Sequence, residues 1–174
     1  MNTPKRLRPV LRAGLFLGIG LGGFVDGILF HQILQVHGML TGRLPKDSIV
    51  NIETNMFWDG MFHAMTWLMT LVGVILLFRA GRSAENAWSG RALAGGMIGG
   101  WGLFNTVEGI VDHHILNLHH VVESRGQSVF DWLFLASGAL MLVIGWMVMR
   151  ASERHRDRSA GVGNLSPPEA ARPS

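Results

Sequence analysis

Apolar residues gather into four long blocks along this chain, separated by shorter polar stretches. The blocks run from Ala13 to about Val36, from Met56 to Phe78, from Ala92 to about Leu118 and from Val129 to Met149. A helix rising about 1.5 Å per residue needs roughly 20 apolar residues to cross a bilayer core, so each block predicts a membrane span. The first and third become polar towards their ends. The expected fold is all-α: an integral membrane four-helix bundle over residues 13–150, made of two tandem helical hairpins. A basic segment precedes it at 1–12. Beyond Ala151, Arg, Ser, Gly and Pro replace the apolar pattern and predict a disordered tail over 151–174. The basic start and apolar run resemble a signal peptide, but no small-residue cleavage site follows and the run continues into Asp26 and His31, so a retained span is expected.

Composition agrees with a membrane protein. Hydrophobic residues make up 48 % of the 174 positions and charged residues only 16 %, against about 25 % in a soluble domain. The formal net charge is +3, and the basic residues flank the apolar blocks, which argues for topology rather than nucleic-acid binding. Twelve Lys and Arg fall on one side (the start, the stretch Arg79 to Arg91 and the tail), whereas the other two connections hold only Arg43, Lys46 and Arg125. Positive loops tend to stay in the cytoplasm. Both termini are therefore expected inside, in a bacterial cytoplasmic (inner) membrane.

The first and third blocks carry similar strings. Asp26-Gly-Ile-Leu-Phe-His31-Gln-Ile-Leu-Gln-Val-His37 and Glu108-Gly-Ile-Val-Asp-His113-His-Ile-Leu-Asn-Leu-His119 agree at six of twelve positions, and both open on an acid. Phe57-Trp-Asp59-Gly-Met-Phe62 likewise resembles Phe130-Asp131-Trp-Leu-Phe134. Together these predict an internal repeat with halves at about 13–80 and 91–150. Gly14, Gly18 and Gly22, with Gly95, Gly96, Gly99 and Gly100, form small-residue stripes where helix backbones can approach, either within the chain or towards a second copy or another membrane protein.

The acids and histidines of the four blocks collect towards one end of the predicted bundle, the end opposite the basic flanks. Charged groups in hydrocarbon cost several kcal/mol unless they pair, bind a cation or meet water, so they are expected to point inward. With no cysteine, a metal would rest on His, Asp, Glu or Met. The candidate metal residues are Asp26, His31, Asp59, His63, Glu108, Asp112, His113 and His119. On ideal α-helices Asp26 and His37 share a face but stand roughly 16 Å apart along the axis, and His31 lies about 140° away from Asp26. This predicts layers: Asp26 and Glu108 deepest, His31, His113, Asp112 and His63 between, and His37, His119, His120, Asp59 and Asp131 at the rim. Nitrogen and oxygen donors suit Fe, Mn, Zn or Cu.

These strings, Trp58-Asp59-Gly-Met-Phe-His63 and His119-His120-Val among them, resemble a bacterial family of membrane proteins called domain of unknown function 2243, over residues 13 to 150. The resemblance implies an integral membrane protein and no particular activity. From the residues themselves, the leading expectation is a nonhaem metal centre for redox or hydrolytic chemistry, opening on the extracytoplasmic side. The alternatives are a bis-His haem electron-transfer protein, an ion or proton relay without metal, and a non-catalytic accessory subunit.

Overall fold

The computed structural model describes residues 6–163, which form four long helices and no β-strand. Helix α1, Arg8–Val25, has Pro9 in its first turn, where its missing N–H costs no bond. It continues without interruption as a π-helical segment, Asp26–Ile33. Helix α2 is Ile49–Arg82 and α3 is Gly90–Glu108; Ser48 and Ser89 cap them by accepting from the Asn51 and Ala92 amides. Helix α3 also runs into a π-helical segment, Gly109–Ile115. Helix α4 is Val129–Gly163.

Three of the four expected spans are long and apolar enough to cross a membrane: Arg8–Ile33, Ile49–Arg82 and Val129–Arg154. The third block does not meet that standard. Six of the nineteen residues of α3 are glycine, and its continuation carries Asp112, His113 and His114. The packing explains this: α3 lies between α1 and α4, and most of its residues face neighbouring helices, so it needs little lipid-facing apolar surface. Helices α2 and α4 instead expose Val74, Ile75, Phe78, Leu140, Val143 and Met147, as a lipid-facing surface requires. Helix α4 also runs past Met149 to Gly163, into the stretch expected to be an irregular tail; Ala151, Glu153 and Arg154 are good helix formers. Residues 164–174 lie outside the described part.

Helices α1 and α3 meet at the centre, α2 packs on α1, and α4 packs on α3. Glycine makes the central contact feasible. A methyl group at Gly14 would stand 2.5 Å from the Leu93 carbonyl oxygen, and one at Gly96 would stand 2.6 Å from that of Leu11. Gly18 and Gly100 are more crowded still, against the carbonyls of Met97 and Leu15. Gly14, Gly18, Gly96 and Gly100 are thus used within the chain, as the contact between the first and third blocks expected from the sequence, whereas Gly99 has nothing within 4 Å of a would-be Cβ. At the arginine-bearing end, Leu7, Val10, Ala80 and Ala92 form a small apolar cluster, and Arg6 exchanges backbone hydrogen bonds with Glu85 and Ala87.

Candidate metal centre

The π-helical segments build the other end of the bundle. In an α-helix, residues five apart point about 140° away from each other; a π-helix bonds i to i+5, so such residues stack one turn apart. That change of winding sets His31 above Asp26, with Nε2 3.1 Å from Asp26 Oδ2. Each segment then ends alike. Leu34 donates to Leu29 O and Val36 to Phe30 O; 82 positions later, Leu116 donates to Val111 O and Leu118 to Asp112 O. The residue between each pair of donors turns the chain in the left-handed region, Gln35 at φ 51° and Asn117 at φ 48°. His37 and His119 follow and are carried back into the interior.

The expected layering is therefore wrong. His119 Nε2 lies 3.6 Å from Glu108 Oε1, not roughly 16 Å away as on a continuous α-helix. The loops also cross. His37 Nδ1 donates to Val121 O at 3.0 Å, and His119 Nδ1 donates to Met39 O at 3.2 Å. Their rings stack at 4.7 Å between centroids, with His31 at 4.6 Å from His37 and His113 at 4.8 Å from His119.

Six side chains converge here: Asp26, His31, His37, Glu108, His113 and His119, all buried. They form three overlapping groups, His31–His37–His119, Glu108–His113–His119 and Asp26–His31–Glu108, and within each the candidate ligand atoms lie within 4.8 Å of one another. Donors around one transition-metal ion at about 2.1 Å stand roughly 3–4 Å apart, so each group could close on an ion with small side-chain shifts. Buried atoms without a hydrogen-bond partner include Asp26 Oδ2, both Glu108 oxygens and the Nε2 atoms of His31, His37 and His119. Burial, with the neighbouring imidazoles next, holds His119 well below the ordinary histidine range, and burial also lowers His37. Both are neutral at pH 7. With Nδ1 donating to a carbonyl, each turns an Nε2 lone pair towards the cluster.

An outer set of groups orients these rings. His31 Nδ1 donates to Asp59 Oδ1 at 2.9 Å, and Asp59 Oδ1 also accepts from the Met39 amide at 2.7 Å. On the other side, His113 Nδ1 lies 3.2 Å from Asp131 Oδ1, which accepts from the Val121 amide at 3.0 Å and lies 3.4 Å from His120 Nδ1. Asp131 also caps α4, its Oδ2 accepting from the Ser128 amide at 2.8 Å. Asp59 thus stands behind His31 rather than among the converging groups.

Of the eight residues expected at the site, Asp26, His31, Glu108, His113 and His119 meet, and Asp59 supports them. His63 does not join: its Nδ1 donates to Asp59 O in its own helix at 2.7 Å, and it belongs to none of the three groups. Asp112 is half-buried and lines a groove beside Glu108. Missing from the eight were His37 and Asp131. The paired strings held the signal for both, since His37 stands to His119 as Asp26 does to Glu108, and Asp131 aligns with Asp59. No curated protein and no solved structure matches the chain. Residues 13–152 match the family model described as predicted membrane protein, domain of unknown function 2243, and the chain belongs to that family.

Proposed function

We propose that this protein is a membrane-embedded nonhaem metalloprotein, with a first-row transition metal held by imidazoles of His31, His37, His113 and His119 and carboxylates of Asp26 and Glu108. One observation carries the reading. Three of the four imidazoles, His31, His37 and His119, hydrogen-bond Nδ1 to a carboxylate or backbone carbonyl, the outer contact that metal-bound histidines make, and His113 Nδ1 lies 3.2 Å from Asp131 Oδ1, while buried ligand atoms converge without partners of their own. A buried polar atom left unpaired costs about 1–3 kcal/mol, and an ion would satisfy several of them together. The donor set suits Fe, Mn, Zn or Cu(II), supplying redox chemistry or a polarised water. A haem between His37 and His119 is disfavoured, because their rings stack at 4.7 Å with no space for a macrocycle.

The common frame of the two halves supports an internal repeat, with α1 and α3 related across their glycine contact and α2 related to α4. The charge bias supports four spans with both termini cytoplasmic, which puts the metal cluster on the extracytoplasmic side of a bacterial inner membrane. Elemental analysis and an optical spectrum of protein purified in mild detergent without chelator test the centre. Metal bound in fixed proportion, without a Soret band and lost in His37→Ala/His119→Ala, is the expected result. Metal-free protein with ion or proton flux lost on Asp26→Asn points to a relay instead. Because the chain contains no cysteine, Asp47→Cys and Glu85→Cys give clean single-site labelling for orientation, Asp47 reacting from outside and Glu85 from the cytoplasm.

A further inference from the structure

The imidazoles and carboxylates of the cluster do not gather round one point. Six donors on a single octahedral ion, each at about 2.1 Å, would all fall within about 4.2 Å of one another. Here they form three groups of three instead, any two of which share one residue. The shared residues are unlike. His31 and His119 each commit Nδ1 to a donated hydrogen bond, to Asp59 and to the Met39 carbonyl, which leaves one Nε2 lone pair and so one ion apiece. Glu108 has two carboxyl oxygens, both buried and both without a hydrogen-bond partner, and can offer one to each of two ions. Glu108 is therefore the residue through which two groups can be filled together: Glu108–His113–His119 and Asp26–His31–Glu108. Within them, His119 Nε2 stands 3.6 Å from Glu108 Oε1 and His31 Nε2 stands 3.1 Å from Asp26 Oδ2, the spacing of neighbouring donors on one ion.

Charge gives an independent count. Asp26, Asp59, Glu108 and Asp131 are all buried at this end, each 4 % exposed or less, and no lysine or arginine is buried with them among the described residues. With neutral imidazoles, these four carboxylates carry four negative charges. One divalent ion leaves two of them uncompensated, and a buried charge without a partner costs several kcal/mol. Two divalent ions balance all four. We propose that the cluster holds a pair of divalent transition-metal ions bridged by Glu108, one completed by His113 and His119 and the other by Asp26 and His31. The pair presupposes the metal reading above and adds the number of ions and the bridge between them. Two ions so joined can clamp the attacking and leaving oxygens of one displacement.

The full chain in mild detergent, stripped of metal, is loaded with Co(II), and bound metal per chain is counted by elemental analysis after dialysis, beside the protein as purified. Two ions per chain are expected. Spins coupled through a shared carboxylate partly cancel, so the low-temperature electron paramagnetic resonance signal per bound ion should fall below that of a lone Co(II). Asp26→Asn should retain one ion, on Glu108, His113 and His119, with the signal per ion restored. Glu108→Gln, which keeps the size of the side chain and removes one of its two metal-binding oxygens, should abolish the coupling and hold at most one ion. The wild-type ratio decides even where a variant fails to fold. One ion per chain, or two without coupling, overturns the bridge and leaves the metal reading standing. Metal-free protein, both as purified and after loading, overturns the two together.

Discussion

Two parts of the molecule, Arg8–Arg82 and Gly90–Arg154, make several backbone contacts at positions 82 apart and differ in what they present at the centre. Gly14 meets Leu93 O as Gly96 meets Leu11 O, and His37 takes Val121 O as His119 takes Met39 O. Exchanging the halves leaves each contact in place. The acids break the equivalence. Asp26 is short and stays 3.1 Å from His31 Nε2, whereas Glu108, one methylene longer, lies 3.6 Å from His119 Nε2. Phe30 corresponds to Asp112, Gln32 to His114 and Gly38 to His120 at the same 82-residue offset. Gly14, Gly18, Gly96 and Gly100 meet carbonyls at corresponding positions, while the centre acquires two unlike ends through its side chains.

The sharpest way to break this comparison is to remove one histidine of a matched pair. His119 belongs to two of the three converging groups and His37 to one. His119→Ala should therefore lower metal affinity by more than about a hundredfold, above the range for losing an outer partner. His37→Ala should cost measurably less. Isothermal titration of metal into apoprotein reads both, and equal losses would mean that the centre is as symmetric as its frame.

The next largest effect belongs to the carboxylates behind the rings. Asp59→Asn and Asp131→Asn should each weaken metal binding about 10- to 100-fold. Asp59 should matter more, because it gives His31 Nδ1 an aligned bond at 2.9 Å, while Asp131 Oδ1 is shared between His113 at 3.2 Å and His120 at 3.4 Å. A larger loss at Asp131 would reverse that ranking and make its grip on the α4 start the dominant factor.

Much of this was legible in the sequence. The helical membrane class follows from block length and the charge deficit, and the convergence of Asp26, His31, Glu108, His113 and His119 follows from the cost of leaving them in lipid. The winding was not legible. Nothing in Asp-Gly-Ile-Leu-Phe-His announces a π-helix, and ideal α-helical geometry separates His31 from its acid by angle and His37 from that acid by rise. Nor does hydropathy reveal that α3 is enclosed by its neighbours, since its glycines read as weak apolarity until the carbonyls facing them are seen. Asp131 could be read as a helix start, which it is; that it also holds His113 depends on where the Val121 loop returns.

The shared frame can be tested at the glycine contact. Gly18→Ala and Gly100→Ala push a methyl into the Met97 and Leu15 carbonyls respectively, and each should destabilise the protein by about 1–3 kcal/mol, by similar amounts. Gly60, on α2 with nothing near its would-be Cβ, is the control: Gly60→Ala should stabilise by up to about 1 kcal/mol through helix propensity. Unfolding in mixed micelles measures all three. A strong difference between Gly18 and Gly100 would show that the halves are unequal in their frame as well.

The smallest expected effect is at His63, and it separates the geometry from the residue type. By composition His63 belongs with the other histidines: it follows Asp59 by one helical turn and precedes a lipid-facing stretch. Its counterpart in the second half is Leu135, so the matched arrangement around the cluster is complete without it. In place, its Nδ1 is committed to the Asp59 carbonyl at 2.7 Å, and the ring packs beside Phe24, Phe62 and Gly27. His63→Gln keeps a polar side chain there, removes the imidazole and leaves the carboxylate of Asp59 on His31. Metal content should be unchanged, with at most a slight shift in thermal stability. A fall in bound metal on this substitution would extend the centre along α2, and would make the first half, not the second, the richer in ligands.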